Sequence, residues 1–149
     1  MPNRIIKESI CTSEDVAKLS MGAEILFYHL MVKADDFGVY FGNEQIIKNT
    51  CFPLKSSEIK LKQVESWLNE LVNAGLLFAY IAEDGKKYVQ FTKWSKHQQI
   101  RAKKSKYRTG TACFCHNMNW RKSRNDCNNT ADDDLNHIRR VVRTMYFIQ

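Results

Sequence analysis

The sequence predicts an α+β fold that is mainly α-helical and contains one small β-hairpin. Capping residues and apolar periodicity indicate successive helices through the first half of the chain. Two strand-like runs then flank Asp84-Gly85, a dipeptide typical of tight hairpin turns. The strand-like runs are followed by a stretch that is rich in lysine and arginine and contains no acid. These three observations, taken in chain order, define the predicted architecture.

The first third of the chain predicts two helices and a short strand. Thr12 is the expected N-cap of a short first helix, and Ser20 is that of a second helix over about 21–34. The second helix is apolar on nearly all sides, which is typical of a helix in the middle of a domain. A turn containing Asp35-Asp36 follows, and residues 39–41 predict a short strand.

The next two helices precede the hairpin. Asn43 is the expected cap of a helix that continues to about Cys51 and ends before Pro53. The clearest helix spans about 61–74 and ends at Gly75, a residue suited to a helix C-terminus. Its apolar residues recur at spacings of three and four, and they are Val64, Trp67, Leu68, Leu71 and Val72. The opposite face is polar.

The hairpin is predicted from residues 76–82 and 86–92, which are rich in aromatic and β-branched side chains. Lys86 and Lys87 follow its turn directly. Trp94, just beyond the second strand, is expected to cover the sheet, as Trp67 is expected to join the core. Both tryptophans are therefore interpreted as packing residues and not as base-stacking ones.

Positive charge is concentrated in one segment of the chain. Residues 1–92 have a net charge of −2, with 10 Lys and Arg against 12 Asp and Glu. Residues 93–108, named here the basic segment, have 7 Lys and Arg and no acid. Residues 109–149 have a net charge of +2. A block of this kind attracts polyanions, because cations that neutralise phosphates release counterions.

The order of these elements predicts a winged helix-turn-helix, in which the last helix enters the major groove and the hairpin and basic segment contact phosphates. Amide and hydroxyl side chains on that helix can pair with base edges, whereas lysines neutralise phosphates and Glu70 would repel them. The expected DNA-binding residues are Lys60, Lys62, Gln63, Ser66, Asn69 and Asn73 on the helix, Lys86 and Lys87 on the wing, and Lys96, Arg101, Lys103, Lys104, Lys106 and Arg108 in the basic segment.

Five stretches resemble one protein family. They are "MPNRIIKESICTS", "ADDFG", "CFPLK", "LVNAGLL" and above all "WSKHQQIRAKKSKY". They resemble the N-terminal domain of phage replisome organisers, the DnaD-like replication initiation proteins of phages and prophages of low-GC Gram-positive bacteria. The resemblance spans about residues 1–107 and implies a winged-helix domain that binds double-stranded origin DNA. In that family a separate C-terminal region usually mediates oligomerisation or contact with helicase-loading and other replisome proteins.

The resemblance ends at Arg108, which divides the chain into a DNA-binding domain over 1–107 and an atypical tail over 108–149. A hypothesis for the tail is that it is a frameshifted or degenerate remnant of a longer gene. Residues 132–147 within it predict an amphipathic helix whose acids precede its arginines. Two alternatives to replication initiation stay open: a winged-helix transcriptional regulator, and a winged helix that binds a protein instead of DNA.

Other kinds of site are not expected. The tail contains Cys113, Cys115, His116, Cys127 and His137, but their spacing does not match a zinc site, so no metal or cofactor is predicted. No nucleophile accompanies His97 and no Gly-rich phosphate loop is present, so no enzymatic activity is predicted.

The remaining expectations concern the compartment and three polar positions. An odd number of cysteines and an N-terminus without an apolar leader predict a cytoplasmic protein with reduced thiols and no membrane association. Cys11 and Cys51 are expected to be buried, because their neighbours are apolar. Asp35-Asp36 is expected to be a solvated turn.

Overall fold

The computed structural model describes residues 3–82 and 84–107 of the chain. This part contains five α-helices and a small three-stranded antiparallel sheet, an α+β arrangement. The helices are α1 (Glu14–Ala17), α2 (Met21–Lys33), α3 (Glu44–Cys51), α4 (Leu61–Asn73) and α5 (Trp94–His97), and the strands are β1 (Val39–Phe41), β2 (Leu77–Ile81) and β3 (Lys87–Phe91). Short 3-10 turns at Glu8–Thr12 and Pro53–Lys55 precede α1 and follow α3.

At the start of three of the described helices, the side chain of the residue before the helix accepts a backbone hydrogen bond. The hydroxyl of Ser20 accepts a hydrogen bond from Ala23 N at the start of α2. The carboxamide oxygen of Asn43 accepts from two backbone N–H groups at the start of α3. Both caps were predicted. The cap predicted for α1 was wrong by one residue: Ser13 provides it, because the Thr12 hydroxyl already donates to the Ser9 carbonyl in the preceding 3-10 turn.

The central strand of the sheet is β3, and the spatial order is β1-β3-β2. Val89 lies opposite Tyr40 on one side and Ala79 on the other. The predicted hairpin between β2 and β3 is confirmed, with Gly85 at φ 76° in its turn. That value lies in the left-handed region, where glycine has no Cβ to clash with the backbone. The sequence predicted β1 but not its pairing partner.

The main core lies between the sheet and the helices α2, α3 and α4. The apolar stripe predicted for α4 is confirmed, since Val64, Leu68 and Leu71 are completely buried. Trp67 is only partly buried and packs against Phe52, with 5.8 Å between ring centroids. Packing of these apolar residues into the core therefore fixes the polar face of α4 relative to the rest of the domain.

Two expectations about burial were wrong. Cys51 is buried as expected, but Cys11 is exposed, because it lies in the 3-10 turn that precedes α1 and none of the five residues of that turn is buried. Helix α2 lies in the core and yet leaves apolar side chains in solvent, with Met21 79% and Val32 54% exposed. The helices of the described residues are all too short or too polar to cross a membrane.

Candidate nucleic-acid interface

The outward face of α4 presents most of the residues predicted to contact DNA from this helix. Lys62, Gln63 and Ser66 are exposed along its first two turns, and Asn73 is exposed in its last turn. Lys60, which immediately precedes the helix, is exposed as well. A helix of 13 residues is about 20 Å long, so these side chains form one continuous polar strip.

Two of the predicted α4 residues have surroundings that the sequence did not indicate. The side-chain oxygen of Gln63 accepts a 2.8 Å hydrogen bond from Lys60 N and so caps the start of α4. Asn69 is only partly exposed, and its side-chain oxygen is buried without a hydrogen-bond partner among the described residues. Lys62 and Ser66 are therefore better placed than Asn69 to meet a ligand.

The carboxylate of Glu70 is directed at the start of α2. Its two oxygens accept hydrogen bonds from Ser20 N at 2.8 Å and from the Ser20 hydroxyl at 2.9 Å. An acid at a helix N-terminus is stabilised by the unpaired N–H groups there. Glu70 was expected to oppose phosphates from the surface of α4, but these contacts give it a role in joining α4 to α2.

The two hairpin lysines differ in their surroundings. Lys86 is exposed next to the turn, where its backbone N–H donates to the Asp84 carboxylate at 3.0 Å. Lys87 is half-buried in β3, and its ammonium group lies 3.4 Å from the carboxylate of Glu44. The positive charge of Lys87 is thus partly balanced by α3.

Trp94 anchors the beginning of the basic segment. Its indole is buried and donates a 2.7 Å hydrogen bond from Nε1 to the Asp36 carbonyl. The ring lies so close to Gly38 that a Cβ atom at that position would come within 2.7 Å of it. Gly38 also has φ 77°, so both its backbone conformation and the adjacent indole require glycine.

Asp35 and Asp36 hold the rest of the basic segment through its backbone. Oδ2 of Asp36 accepts from Arg101 N at 3.3 Å and from Ala102 N at 2.9 Å. Oδ2 of Asp35 accepts from Lys106 N at 3.0 Å and from the hydroxyl of Ser105. The expectation of a solvated turn was therefore wrong for Asp35, which is only 5% exposed. Aligned backbone donors satisfy its charge in place of water.

Arg4 completes this anchor, and no sequence pattern indicated it. Its guanidinium donates to the carbonyls of Met31 and Ala34, and it lies 3.4 Å from the Asp36 carboxylate. It also lies over the Trp94 ring at 4.9 Å from the centroid, a cation–π contact. Arg4 thus joins the N-terminal segment, the end of α2 and the basic segment.

The hydrogen bonds to Asp36 also affect its protonation. Desolvation acts to raise the pKa of this carboxyl, but N–H groups of Ala102 and Arg101 and the guanidinium of Arg4 stabilise the charged form. The net effect is a pKa below the ordinary value for aspartate. Asp36 is consequently ionised at neutral pH and remains a hydrogen-bond acceptor for the segment.

Because the backbone provides these attachments, the cationic side chains are directed to solvent. The exposed cations of the described part of the basic segment are Lys93, Lys96, Arg101, Lys103, Lys104 and Lys106. Lys103, Lys104 and Lys106 have no ion-pair partner among the described residues. Tyr107 packs at the end of this stretch against Phe41, with 4.9 Å between ring centroids, so it is not free to stack on a base.

Some predictions concern residues outside the described part of the chain. They are the DNA contact of Arg108, the helix over 132–147, the remnant hypothesis for the tail, and the interpretation of Cys113, Cys115, His116, Cys127 and His137. Comparison of the chain with protein-family models, with curated proteins and with solved structures returned no significant match.

Proposed function

We propose that the chain is a winged-helix protein that binds double-stranded DNA and acts in replication initiation of a phage or prophage, as an origin-binding protein of the replisome-organiser type. In this proposal α3 and α4 form the helix-turn-helix, α4 enters the major groove, and the β2–β3 hairpin is the wing. The helix order, the antiparallel sheet and the polar strip on α4 support the DNA-binding part. The resemblance over residues 1–107 supports the replication part.

One observation carries the proposal: the described part of the basic segment is attached to the folded domain by its backbone, while its cations are exposed. A flexible basic tail would lose conformational freedom when it bound, and that loss would oppose binding. A segment already held by Asp35 and Asp36 avoids most of this cost. Its cations therefore form a pre-arranged surface for phosphates.

The side chains have distinct roles in this complex. Ser66 and Asn73 face the base edges from α4, where hydroxyl and amide groups can distinguish base pairs. Lys60, Lys62, Lys86 and the cations of the basic segment contact phosphates, which contributes affinity without sequence preference. Gln63 and Glu70 maintain the position of α4.

Fluorescence anisotropy of a labelled 30-base-pair duplex, titrated with the full chain at several salt concentrations, tests DNA binding. The logarithm of the binding constant should fall linearly with the logarithm of salt concentration, with a slope of about −0.9 per phosphate contacted. Replacing Lys103, Lys104 and Lys106 by alanine should weaken binding to all duplexes and reduce that slope by up to about 3.

The matched control is the replacement of Lys18, Lys33 and Lys55 by alanine, which removes the same charge from outside the proposed surface. This control should retain more of the affinity and of the salt slope than the basic-segment variant. Equal losses in both variants would show that net charge alone governs binding. Absence of binding to duplex in dilute salt would contradict DNA binding and favour a protein partner.

The positions at which the protein binds on the genome distinguish a role in replication from a role in transcription. A genome-wide footprint in the host should place it in one cluster at a replication origin if the replication proposal is right. Binding concentrated at promoters, with duplex affinity intact, would leave DNA binding in place and replace replication by regulation.

A further inference from the structure

A cavity of about 320 Å³ lies between the N-terminal segment and the body of the domain, away from the polar face of α4. Its deep part is formed by buried apolar side chains, among them Val16, Phe27, Met31 and Phe91. Protein interiors rarely leave voids much larger than a water molecule, and apolar cavities of about 150 Å³ already bind benzene-sized molecules. The volume falls within the usual range of small-ligand sites.

The rim of the cavity differs from its interior. Ile5 and Ile6 lie there and remain 41% and 61% exposed, and the exposed side chains of Lys7, Lys93 and His97 join them. An apolar ligand in the cavity would shield these exposed isoleucines from water, which favours binding. An apolar interior with a few polar groups at the entrance is typical of a site for an amphiphilic molecule.

The charge at the rim is positive. Asp15 is the acid among the residues that line the cavity, and it lies 3.4 Å from Lys93 and 3.9 Å from Lys18. Two cations thus surround one carboxylate, and these three side chains together keep a net positive charge. Lys7 donates to the Lys96 carbonyl and has no ion-pair partner in the described part of the chain. Desolvation and the charges of Lys7, Lys93 and Lys96 lower the pKa of His97, as expected where the local potential is positive.

From the apolar interior and the cationic rim we infer that this cavity binds a small organic anion with an apolar body, such as a medium-chain carboxylate, whose head group lies between Lys7, Lys93 and His97. The apolar body would replace water against Phe27, Met31 and Phe91. The carboxylate would form charge-assisted hydrogen bonds at the rim. This site shares Lys93 with the basic segment, and none of its lining residues belongs to α4 or to the β2–β3 turn.

Octanoate and its neutral analogue 1-octanol test the inference, because they share an apolar chain and differ in head-group charge. Both are titrated into the full chain with a ¹³C-methyl label on methionine, since Met31 lines the cavity. Octanoate should shift the Met31 resonance in a saturable way and bind about tenfold more tightly than octanol. In the Lys7→Gln/Lys93→Gln double variant, octanoate binding should weaken to the level of octanol, while octanol binding stays unchanged.

Filling the cavity provides the complementary test. Ile10→Trp should abolish binding of both molecules, and Ser9→Phe, at an exposed lining position, serves the same purpose if Ile10→Trp lowers stability. Equal affinity for octanoate and octanol would overturn the role of the rim charges. Absence of a saturable Met31 shift, or binding that survives both filling variants, would overturn the site. The titrations contain no DNA, so their failure is distinct from a failure of DNA binding.

Discussion

Oδ2 of Asp36 accepts a 2.9 Å hydrogen bond from the backbone N–H of Ala102, 66 residues later in the chain. This contact joins the turn after α2 to the middle of the basic segment, and Arg101 N donates to the same oxygen. An acid therefore positions a group of cations without neutralising them, because the backbone forms the bond. The acidic turn and the basic segment act as one unit.

Replacing Asp36 by alanine should release the basic segment while the core stays folded. Local opening exposes backbone to proteases, so trypsin should cleave after Arg101 and Lys103 several-fold faster in the variant. Affinity for duplex DNA should also fall, although loss of a negative charge alone would raise it. Limited proteolysis with mass spectrometry and anisotropy measure the two effects.

The control for this prediction is Glu14→Ala, which removes the same charge from an exposed position at the start of α1. Its cleavage rate should match that of the parent protein, and its DNA affinity should be equal or slightly higher. Asp36→Ala with unchanged cleavage would show that Asp36 does not hold the segment.

The low pKa of Asp36 gives a pH dependence with a defined sign. A carboxyl whose pKa is lowered by folding contributes to the stability of the folded protein. This contribution is fully present at pH values above the pKa of the unfolded state, about 3.9. It is lost as the pH falls through the lower folded value, when the charged acceptor is protonated. Urea unfolding between pH 5.5 and pH 2.5 should therefore show a smaller loss of stability for Asp36→Asn than for the parent. Parallel curves for Asp36→Asn and the parent would contradict the prediction.

Most of the helices and strands were predictable because their signals are local. Ser20 and Asn43 cap helices within three residues of themselves, and the spacing of Val64, Leu68 and Leu71 alone indicates the buried side of α4. Gly85 marks its turn by its own backbone preference. Each of these signals occupies a short window of sequence.

The arrangement of the candidate site was less predictable because it depends on long-range contacts. Nothing adjacent to Asp35 indicates that Ser105 and Lys106, 70 and 71 residues away, will meet it. Arg4 is similarly unremarkable in sequence, although it contacts residues about 30 positions later. Residue type suggested Gln63 for base contact, whereas its hydrogen bond to Lys60 N depends on side-chain direction.

The capping role of Gln63 can be separated from any contact with DNA. Gln63→Ala removes the acceptor for Lys60 N and should lower the free energy of unfolding by roughly 0.5–1 kcal/mol. Gln63→Glu keeps an acceptor at the favoured position and should restore stability. Ser66→Ala, on the same exposed face, should change stability by less than about 0.5 kcal/mol. Chemical denaturation measures all three, and equal destabilisation by Ala and Glu at position 63 would exclude the cap.

The contact between Gly22 and Trp67 predicts a stability change opposite in sign to helix propensity. Alanine is favoured over glycine inside a helix by about 1 kcal/mol, so Gly22→Ala in α2 would ordinarily stabilise the protein. A Cβ atom there would instead lie 2.3 Å from Cε2 of Trp67, so the indole or the two helices must shift. Overpacking of this kind costs about 1–3 kcal/mol, and Gly22→Ala should be destabilising in urea unfolding.

In a Trp67→Leu background the same substitution should be neutral or stabilising, because the indole is gone. If Gly22→Ala lowers the free energy of unfolding equally in both backgrounds, the Trp67 indole is not what opposes the added methyl group. That result would contradict the close contact between Gly22 and Trp67.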